Sequence, residues 1–488
     1  MMDLSPRVLA KDYNSEPSRV MLWRCPDMTR VVVIGGGAAG MAAASRVKRL
    51  RKDYEVTVFE RTGYVSFALC GIPYLAGCVV KTIDELLYYP PEVFIKKRGI
   101  DLRLRTEVVR VDAAKKKLVY RSLETGEEGE LDWDYLVVAT GAKSRAPEIW
   151  PEIRDLENVF YIKHLDSGEE IRRYALSLKH GSRAVIVGAG YVGLEIAENL
   201  AGLGMKITVV EAIDQVAPRT LDRDYAEILE SRLKDHGIEV VKGAPVRGFK
   251  VSNGKAVAVE TDRGDIEGDL FVVGVGIRPS TELAQQMGAK IGETGAIWVD
   301  DRLRTSVPDV YAIGDAVEHT DLVTGRRIWR PFAPVANKMG YIAGSILAGR
   351  DAVFRGSVGT SVFKTFDTVV ARTGLSATEA EKLGYNVAVA SLEGYTKAHY
   401  IPGRKKVYLR VVADADTGRL LGAQSLSESE TALWRINVIA SLLTVGGTVW
   451  DLFFSDIGYA PPVAPVWDPL IVAARLLMRK LGEKPRKQ

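Results

Sequence analysis

Arg30-Val31-Val32-Val33-Ile34-Gly35-Gly36-Gly37-Ala38-Ala39-Gly40 decides how the rest of the chain is read. An apolar, β-branched run without alternation is the pattern of a strand buried on both faces, as in a parallel sheet. Glycines spaced G-x-G-x-x-G follow, and an Ala-rich stretch from Met41 to about Arg51 has the composition of a helix. A second run, Glu55-Val56-Thr57-Val58-Phe59, ends at Glu60, twenty residues beyond Gly40. Glycines at a strand-to-helix turn bring backbone N–H groups to a pyrophosphate, and an acid at this distance accepts from a ribose hydroxyl. Gly35, Gly37, Ala38, Ala39, Gly40 and Glu60 are therefore candidate dinucleotide contacts. The alternative is a coincidental tight turn with a surface acid.

The unit recurs. Ala184-Val185-Ile186-Val187 leads into Gly188-Ala189-Gly190-Tyr191-Val192-Gly193, a helix is predicted from Leu194, and Lys206–Val210 ends at Glu211. Gly193 lies 153 residues after Gly40. Two fingerprints imply two dinucleotides, and a chain holding both is suited to passing hydride from a nicotinamide to a flavin. Tyr135–Ala139 with Thr140 and Gly141 reads as a strand and turn closing the first unit, and Gly274-Val275-Gly276-Ile277-Arg278-Pro279 closes the second. Val310–Ile313 is a strand ending in Gly314-Asp315, where Asp315 reads as a helix N-cap, a ligand contact, or both. From about Asp351 the character changes. Thr360–Val370 and Lys406–Val412 alternate as strands, Thr431–Leu443 has helical period, and no third fingerprint occurs. The predicted fold is α/β, two Rossmann-like dinucleotide-binding domains with a C-terminal α+β domain. Its limits are an extension at 1–28, a first domain at 29–146 and 274–350, a second at 147–273, and the last at 351–488.

Tyr64-Val65-Ser66-Phe67-Ala68-Leu69-Cys70-Gly71-Ile72-Pro73-Tyr74 carries a lone cysteine thirty residues after Gly40. Pro73 suits the first turn of a helix, which would put Cys70 at a helix N-terminus, where thiolate is favoured over thiol. The other reading is a small buried hydrophobe. Cys25, Cys70 and Cys78 form no framework and no C-x-x-C pair, which fits a reducing cytosol.

Charge excludes some classes. Sixty-six basic against 62 acidic residues leave +4, no footprint for nucleic acid. No apolar run is long enough to span a membrane, and residues 1–27 lack the apolar core of a secretory signal. A cytoplasmic protein is expected, with no metal cluster, and with residues 1–27 either a loose arm or sequence ahead of a start at Met28. Pro461, Pro462, Pro465 and Pro469 are expected to hold the stretch after Tyr459 extended.

From Arg30 to about Leu477 the chain resembles the pyridine nucleotide–disulfide oxidoreductases, and within them the single-cysteine branch, above all the coenzyme A disulfide reductases. Two-cysteine members carry C-x-x-x-x-C on this helix. Here Cys70 lacks that partner, and Cys78 reads as structural. The resemblance implies that Gly35, Gly37, Gly40, Glu60, Thr140, Gly141 and Asp315 hold FAD. It implies that Gly188, Gly190, Gly193, Glu211 and Gly276 hold NADH, with NADPH open. Tyr191 would gate the flavin and Glu195 would lie near the carboxamide. Cys70 would be the catalytic thiol, with Tyr400 and Tyr459 reaching the partner's site in a homodimer. Simple packing is the other role for these tyrosines. Arg49, Ser66 and Arg98 match a coenzyme A pocket, although cations such as Arg49 are favourable at a helix C-terminus in any case. Leu69 and Tyr341 stand where bacterial members often have Asn and Arg.

The resemblance thus implies electron flow from NAD(P)H through flavin and Cys70 to coenzyme A disulfide, a small-molecule substrate that also forms a mixed disulfide with Cys70. Three alternatives stay open. An NADH oxidase or peroxidase would cycle the cysteine through sulfenic acid, but such enzymes usually have histidine where Ala38 stands. A polysulfide or sulfur reductase would use the same thiol. A non-catalytic redox-sensing flavoprotein would bind and not turn over.

Overall fold

The computed structural model describes residues 28–482 apart from Lys163. The expected arm up to Asp27, Cys25 with it, and the basic tail from Glu483 lie outside the described residues.

The first run is the centre of a five-stranded parallel sheet. Its order is Val310–Ala312, Tyr135–Val138, Arg30–Ile34, Glu55–Phe59, Asp101–Arg103. Val31, Val32 and Val33 are fully buried, which is why the run does not alternate. The strand Val310–Ala312 returns from far along the chain to pair with Tyr135–Val138, so the first layer is built from two separate segments. The second sheet is also five parallel strands, ordered Glu239–Val241, Lys206–Val210, Arg183–Val187, Leu270–Val273, Val159–Tyr161. The third is antiparallel, ordered Ser361–Thr365, Thr368–Gly374, Leu420–Ser427, Lys406–Asp414, Val387–Tyr395. The helices Thr431–Thr444 and Pro469–Lys480 pack on it. The mixed α/β architecture predicted from the sequence is the one observed.

In the first layer the helices Ala38–Leu50 and Ala333–Leu347 approach closely because their contact is made of small residues. A Cβ on Gly340 would stand 2.3 Å from the Ala39 carbonyl, and one on Gly344 2.6 Å from that of Ala43.

Four local expectations are corrected. The fingerprint helices start at Ala38 and Tyr191, three residues before the expected Met41 and Leu194. The reason is that Gly37 and Gly190 cap them, their carbonyls accepting the first helical bonds from Met41 and Leu194 (3.0 Å each). Asp315 lies inside a 3-10 turn, Gly314–Ala316, and is not an N-cap. Thr360–Val370 is not one strand: it folds back at Phe366-Asp367. The proline stretch is not wholly extended, since Val463 and Ala464 both donate to the Ala460 carbonyl and make a turn. Among the described residues no helix is long and apolar enough to cross a membrane.

Candidate active site

The two fingerprints repeat one construction. Gly35 has φ +110°, and a Cβ there would stand 2.2 Å from the Ala139 carbonyl; Gly188 has φ +109° against the Gly274 carbonyl. Only glycine fits this turn. A Cβ on Gly40 would meet the Gly35 carbonyl at 1.9 Å, and one on Gly193 the Gly188 carbonyl at 2.0 Å. Gly37 and Gly190, by contrast, face open space at the two helix N-termini. The acids match as well. Glu60 accepts from Gly36 N–H (2.7 Å) and from Thr62 N–H and Oγ1 (2.8 Å each). Glu211 accepts from Ala189 N–H (2.8 Å) and Ile213 N–H (3.0 Å). Helix N–H groups, an open cradle and a fixed ribose acceptor fit a dinucleotide at each site. The Thr140-Gly141 turn is pinned by Thr140 Oγ1 donating to the Ser280 carbonyl (2.7 Å) and Ser280 N–H donating to the Gly141 carbonyl (2.9 Å). Gly276 (φ +98°) holds the matching turn of the second site, its carbonyl accepting from Arg145 N–H.

Cys70 sits in a 3-10 turn, Leu69–Gly71, ahead of the short helix Ile72–Ala76. The turn is anchored from below by the buried Ile72, Leu75, Leu86 and Leu165. It is anchored from behind by Ser66, whose N–H donates to the Gly36 carbonyl (2.9 Å) and whose own carbonyl accepts from Tyr88 N–H (3.1 Å). Ser66 holds a left-handed φ of +52°, an unusual conformation for this residue type. Cys70 is exposed, not the buried hydrophobe. The expected thiolate bias is corrected too. Crowding of the sulfur by protein pushes the thiol up, and the carboxylates of Glu195 and Asp315 add to it. A five-residue helix supplies too little dipole to reverse that. Cys78 is also exposed, with φ +62°, and is not part of the core.

Glu195, Asp315 and Tyr191 lie within electrostatic reach of this thiol. The fields of Cys70, Glu195 and Asp315 all act on Tyr191, whose phenol is pushed up, first by burial. Glu195 is raised to about 7, by burial and then by Glu198. Sequence reasoning missed Tyr74, which is raised by burial and then by Glu195, Glu198 and Cys70. Its only signal was its place four residues after the cysteine.

Of the pocket residues, Arg49 is exposed on the last turn of the helix Ala38–Leu50. Arg98 lies against the same helix: it donates to Ser45 Oγ (2.6 Å), with the rings of Phe94 at 4.6 Å and Tyr89 at 4.9 Å. Tyr341 carries the guanidinium of Arg46 over its ring at 4.2 Å. Tyr400 and Tyr459 are brought together, and the neighbouring Tyr400 phenol raises Tyr459. The charges acting on Cys70 come from Glu195 and Asp315, not from this pair. Among the described residues no group of His, Cys, Asp and Glu could hold a metal ion.

The model of the pyridine nucleotide-disulphide oxidoreductases matches residues 29–340, and the model of their dimerisation domain matches residues 360–470. The chain belongs to this family, and is an NAD(P)H-dependent flavoprotein reductase of the disulfide and persulfide-reducing kind. Over 449 residues it is 46% identical to the NAD(P)H coenzyme A polysulfide/persulfide reductase of Pyrococcus horikoshii, covering 92% of this chain and 98% of that one. The crystal structure of an NAD-dependent persulfide reductase from A. fulgidus superposes with a TM-score of 0.89 at 38% identity, covering 93% and 84%. That of reduced Bacillus anthracis CoADR-RHD does so with a TM-score of 0.89 at 31%, covering 94% and 81%.

Proposed function

We propose that this protein uses NAD(P)H to cleave the sulfur–sulfur bond of a coenzyme A-linked substrate, a persulfide, polysulfide or disulfide, through Cys70. The observation that carries this reading is the setting of Cys70. It is an exposed thiol on an anchored turn, without the C-x-x-x-x-C partner, beside Tyr191, Glu195 and Asp315. Without a second cysteine, its oxidised form is a bond to the substrate's sulfur. For the disulfide the balance is NAD(P)H + H⁺ + CoA-S–S-CoA → NAD(P)⁺ + 2 CoA-SH. For a persulfide the balance is NAD(P)H + H⁺ + CoA-S–SH → NAD(P)⁺ + CoA-SH + H₂S.

Bound flavin would supply the two-electron relay between nicotinamide and sulfur. Cys70 attacks the substrate sulfur and expels a thiolate, the general route for exchange. Gly35, Gly37, Gly40, Glu60, Thr140, Gly141 and Asp315 hold FAD in this reading, and Gly188, Gly190, Gly193, Glu195, Glu211 and Gly276 hold the nicotinamide nucleotide. Arg49, Ser66 and Arg98 receive the coenzyme A moiety. Tyr400 and Tyr459 serve the Cys70 of a second copy, protonating the leaving thiolate. The Pyrococcus relative's named substrates favour the persulfide and polysulfide over the disulfide. Ala38 disfavours an oxidase that splits peroxide, since a methyl donates no proton.

The test is an anaerobic NADH-consumption panel with coenzyme A persulfide, coenzyme A disulfide, polysulfide without coenzyme A, and peroxide. Turnover confined to the coenzyme A-linked substrates is expected. Equal rates on polysulfide alone, or rates only on peroxide, would overturn the reading.

A further inference from the structure

Thr360–Val370 has the alternation of one strand, yet the chain turns inside it. Ser361–Thr365 pairs with Thr368–Gly374, Thr365 opposite Thr368, leaving Phe366 and Asp367 at the tip. Phe366 takes φ +52°, where glycine or asparagine is usual in a two-residue hairpin. A bulky residue holds such a conformation only where its surroundings dictate it.

Those surroundings are the second nucleotide-binding layer. The ring of His236 stacks flat on Phe366 at 4.4 Å, and His236 Nε2 stands 3.3 Å from the Asp367 carboxylate. The Thr365 hydroxyl donates to the Leu194 carbonyl (3.4 Å), and the Lys364 ammonium lies 3.4 Å from Glu198. The ring of Phe363 is 6.4 Å from that of Tyr191, tilted 35°. Five successive residues thus all touch that layer. Three of these contacts fall on one helix, Tyr191–Gly202, which opens at the second fingerprint. Phe363 is 4% exposed and locked in the core with Leu194, Ile196 and Val370, whereas Tyr191 is 41% exposed. The rigid ring is the abutment and the half-open ring is the part that can swing.

We propose that Phe363, from the C-terminal sheet, is a positioning residue for Tyr191: it fixes where the tyrosine ring rests at the nicotinamide site, and so how readily a nicotinamide displaces it. The inference rests on the reading of Tyr191 as the flavin's gate. With the abutment gone, the resting position is less populated. Nicotinamide then meets less competition, because a ligand's apparent affinity scales with the fraction of binding-competent protein. Oxygen also reaches the reduced enzyme more easily. Phe363 touches no reacting atom, so it acts only through Tyr191.

The test uses the FAD-loaded full chain carrying Phe363→Leu, Tyr191→Ala, or both. KM for NADH and the rate of hydrogen peroxide release in air are measured alongside kcat for the sulfur substrate. Phe363→Leu is expected to lower KM for NADH and raise peroxide release about threefold or more, in the direction of Tyr191→Ala. It should add nothing once Tyr191→Ala is present, and Phe363→Tyr should restore both values. Phe363→Met, nearer in volume, is read the same way if the leucine variant does not fold. An equal Phe363→Leu effect with and without Tyr191→Ala would show a merely structural role and overturn the proposal. Unchanged values in Phe363→Leu beside altered ones in Tyr191→Ala would overturn it while leaving the gate intact. Unchanged values in Tyr191→Ala would overturn the gate itself.

Discussion

The phenols of Tyr400 and Tyr459 lie close enough to act on each other, on two loops that the bond from Ala398 N–H to the Pro461 carbonyl (3.0 Å) ties together. The neighbouring Tyr400 makes Tyr459 a weaker acid than a free phenol. The ring of His399 stands edge-on to Tyr400 at 5.1 Å, and both tyrosines are about half exposed or more. In the proposed reaction one phenol of this exposed pair would hand a proton to a thiolate while the other holds the donor in orientation.

Tyr459→Phe and Tyr400→Phe are each expected to lower kcat for sulfur-substrate reduction by about 100- to 1,000-fold, within the usual worth of a general acid. The double variant should be no worse than the poorer single one, as for residues acting as a unit. Stopped-flow reduction of the flavin by NADH should be unchanged in all three. Additive losses in kcat would show that the pair does not share a proton.

Cys70→Ser is expected to keep bound FAD and its reduction by NADH, and to lose sulfur-substrate turnover, because an oxygen in place of the sulfur forms no mixed disulfide. Hydrogen peroxide release in air should persist or rise, since it does not need the thiol. Cys78→Ser should leave turnover within about twofold, because an exposed side chain outside the core contributes little to stability. The measurement is NADH consumption with peroxide quantified, with and without sulfur substrate. Near wild-type turnover by Cys70→Ser would make that thiol structural.

The nucleotide layers were legible because their constraints are local. Gly35 and Gly188 are dictated by a turn only glycine can make, and Glu60 and Glu211 by their distance from it. What was hidden is what depends on distant segments. No sequence signal marks Phe366 as a turn residue, because contacts with His236 hold it there. The acidity of Cys70 was misread because protein crowds its sulfur, and because Glu195 and Asp315 act on it from more than a hundred residues away. Arg98 matched the coenzyme A pocket by position, but its bond to Ser45 and its place between aromatic rings needed coordinates.

Arg435 and Asp468 form a fully buried two-bond ion pair (2.7 and 3.1 Å), and Asp468 also caps the helix Pro469–Lys480 by accepting from Leu470 N–H. Removing one member leaves the other charge buried alone, at about 3–5 kcal/mol. Asp468→Ala should therefore destabilise the C-terminal domain by that order in urea unfolding. The paired change Arg435→Met with Asp468→Ala should recover part of the loss, because no charge is then stranded. If Asp468→Ala alone unfolds like wild type, the pair contributes no net stability.

Glu195 titrates at about 7 in the folded protein against the usual 4.5, so the native state keeps a proton that the unfolded chain has lost. Stability must then fall as pH rises from about 4.5 to about 7 and level off above, the penalty belonging to the ionised form. For a partly exposed carboxyl the shift is worth at most about 2 kcal/mol. Glu195→Gln should match wild type near pH 4 and exceed it by up to that amount at pH 8, in unfolding midpoints of FAD-loaded protein. A difference independent of pH would show that Glu195 has an ordinary pKa.

In the proposed reading, choice of nicotinamide nucleotide turns on Glu211. Its carboxylate is fixed by Ala189 N–H and Ile213 N–H, which orients it to accept from a ribose 2′-hydroxyl and to repel a 2′-phosphate. Ala212 and Ile213 bring no cation. Arg219 is the base that could fold toward a phosphate, but its carbonyl is clamped by Arg372 (2.6 Å), which fixes its backbone. Arg223 is engaged with Asp214 at 3.2 Å. NADH is therefore expected to be preferred over NADPH by about tenfold or more in kcat/KM, a difference of about 1.4 kcal/mol. Glu211→Gln should narrow the ratio, chiefly by improving NADPH, and Arg219→Ala should leave it unchanged. A preference for NADPH that disappears in Arg219→Ala would show instead that this arginine reaches the phosphate and outweighs the carboxylate.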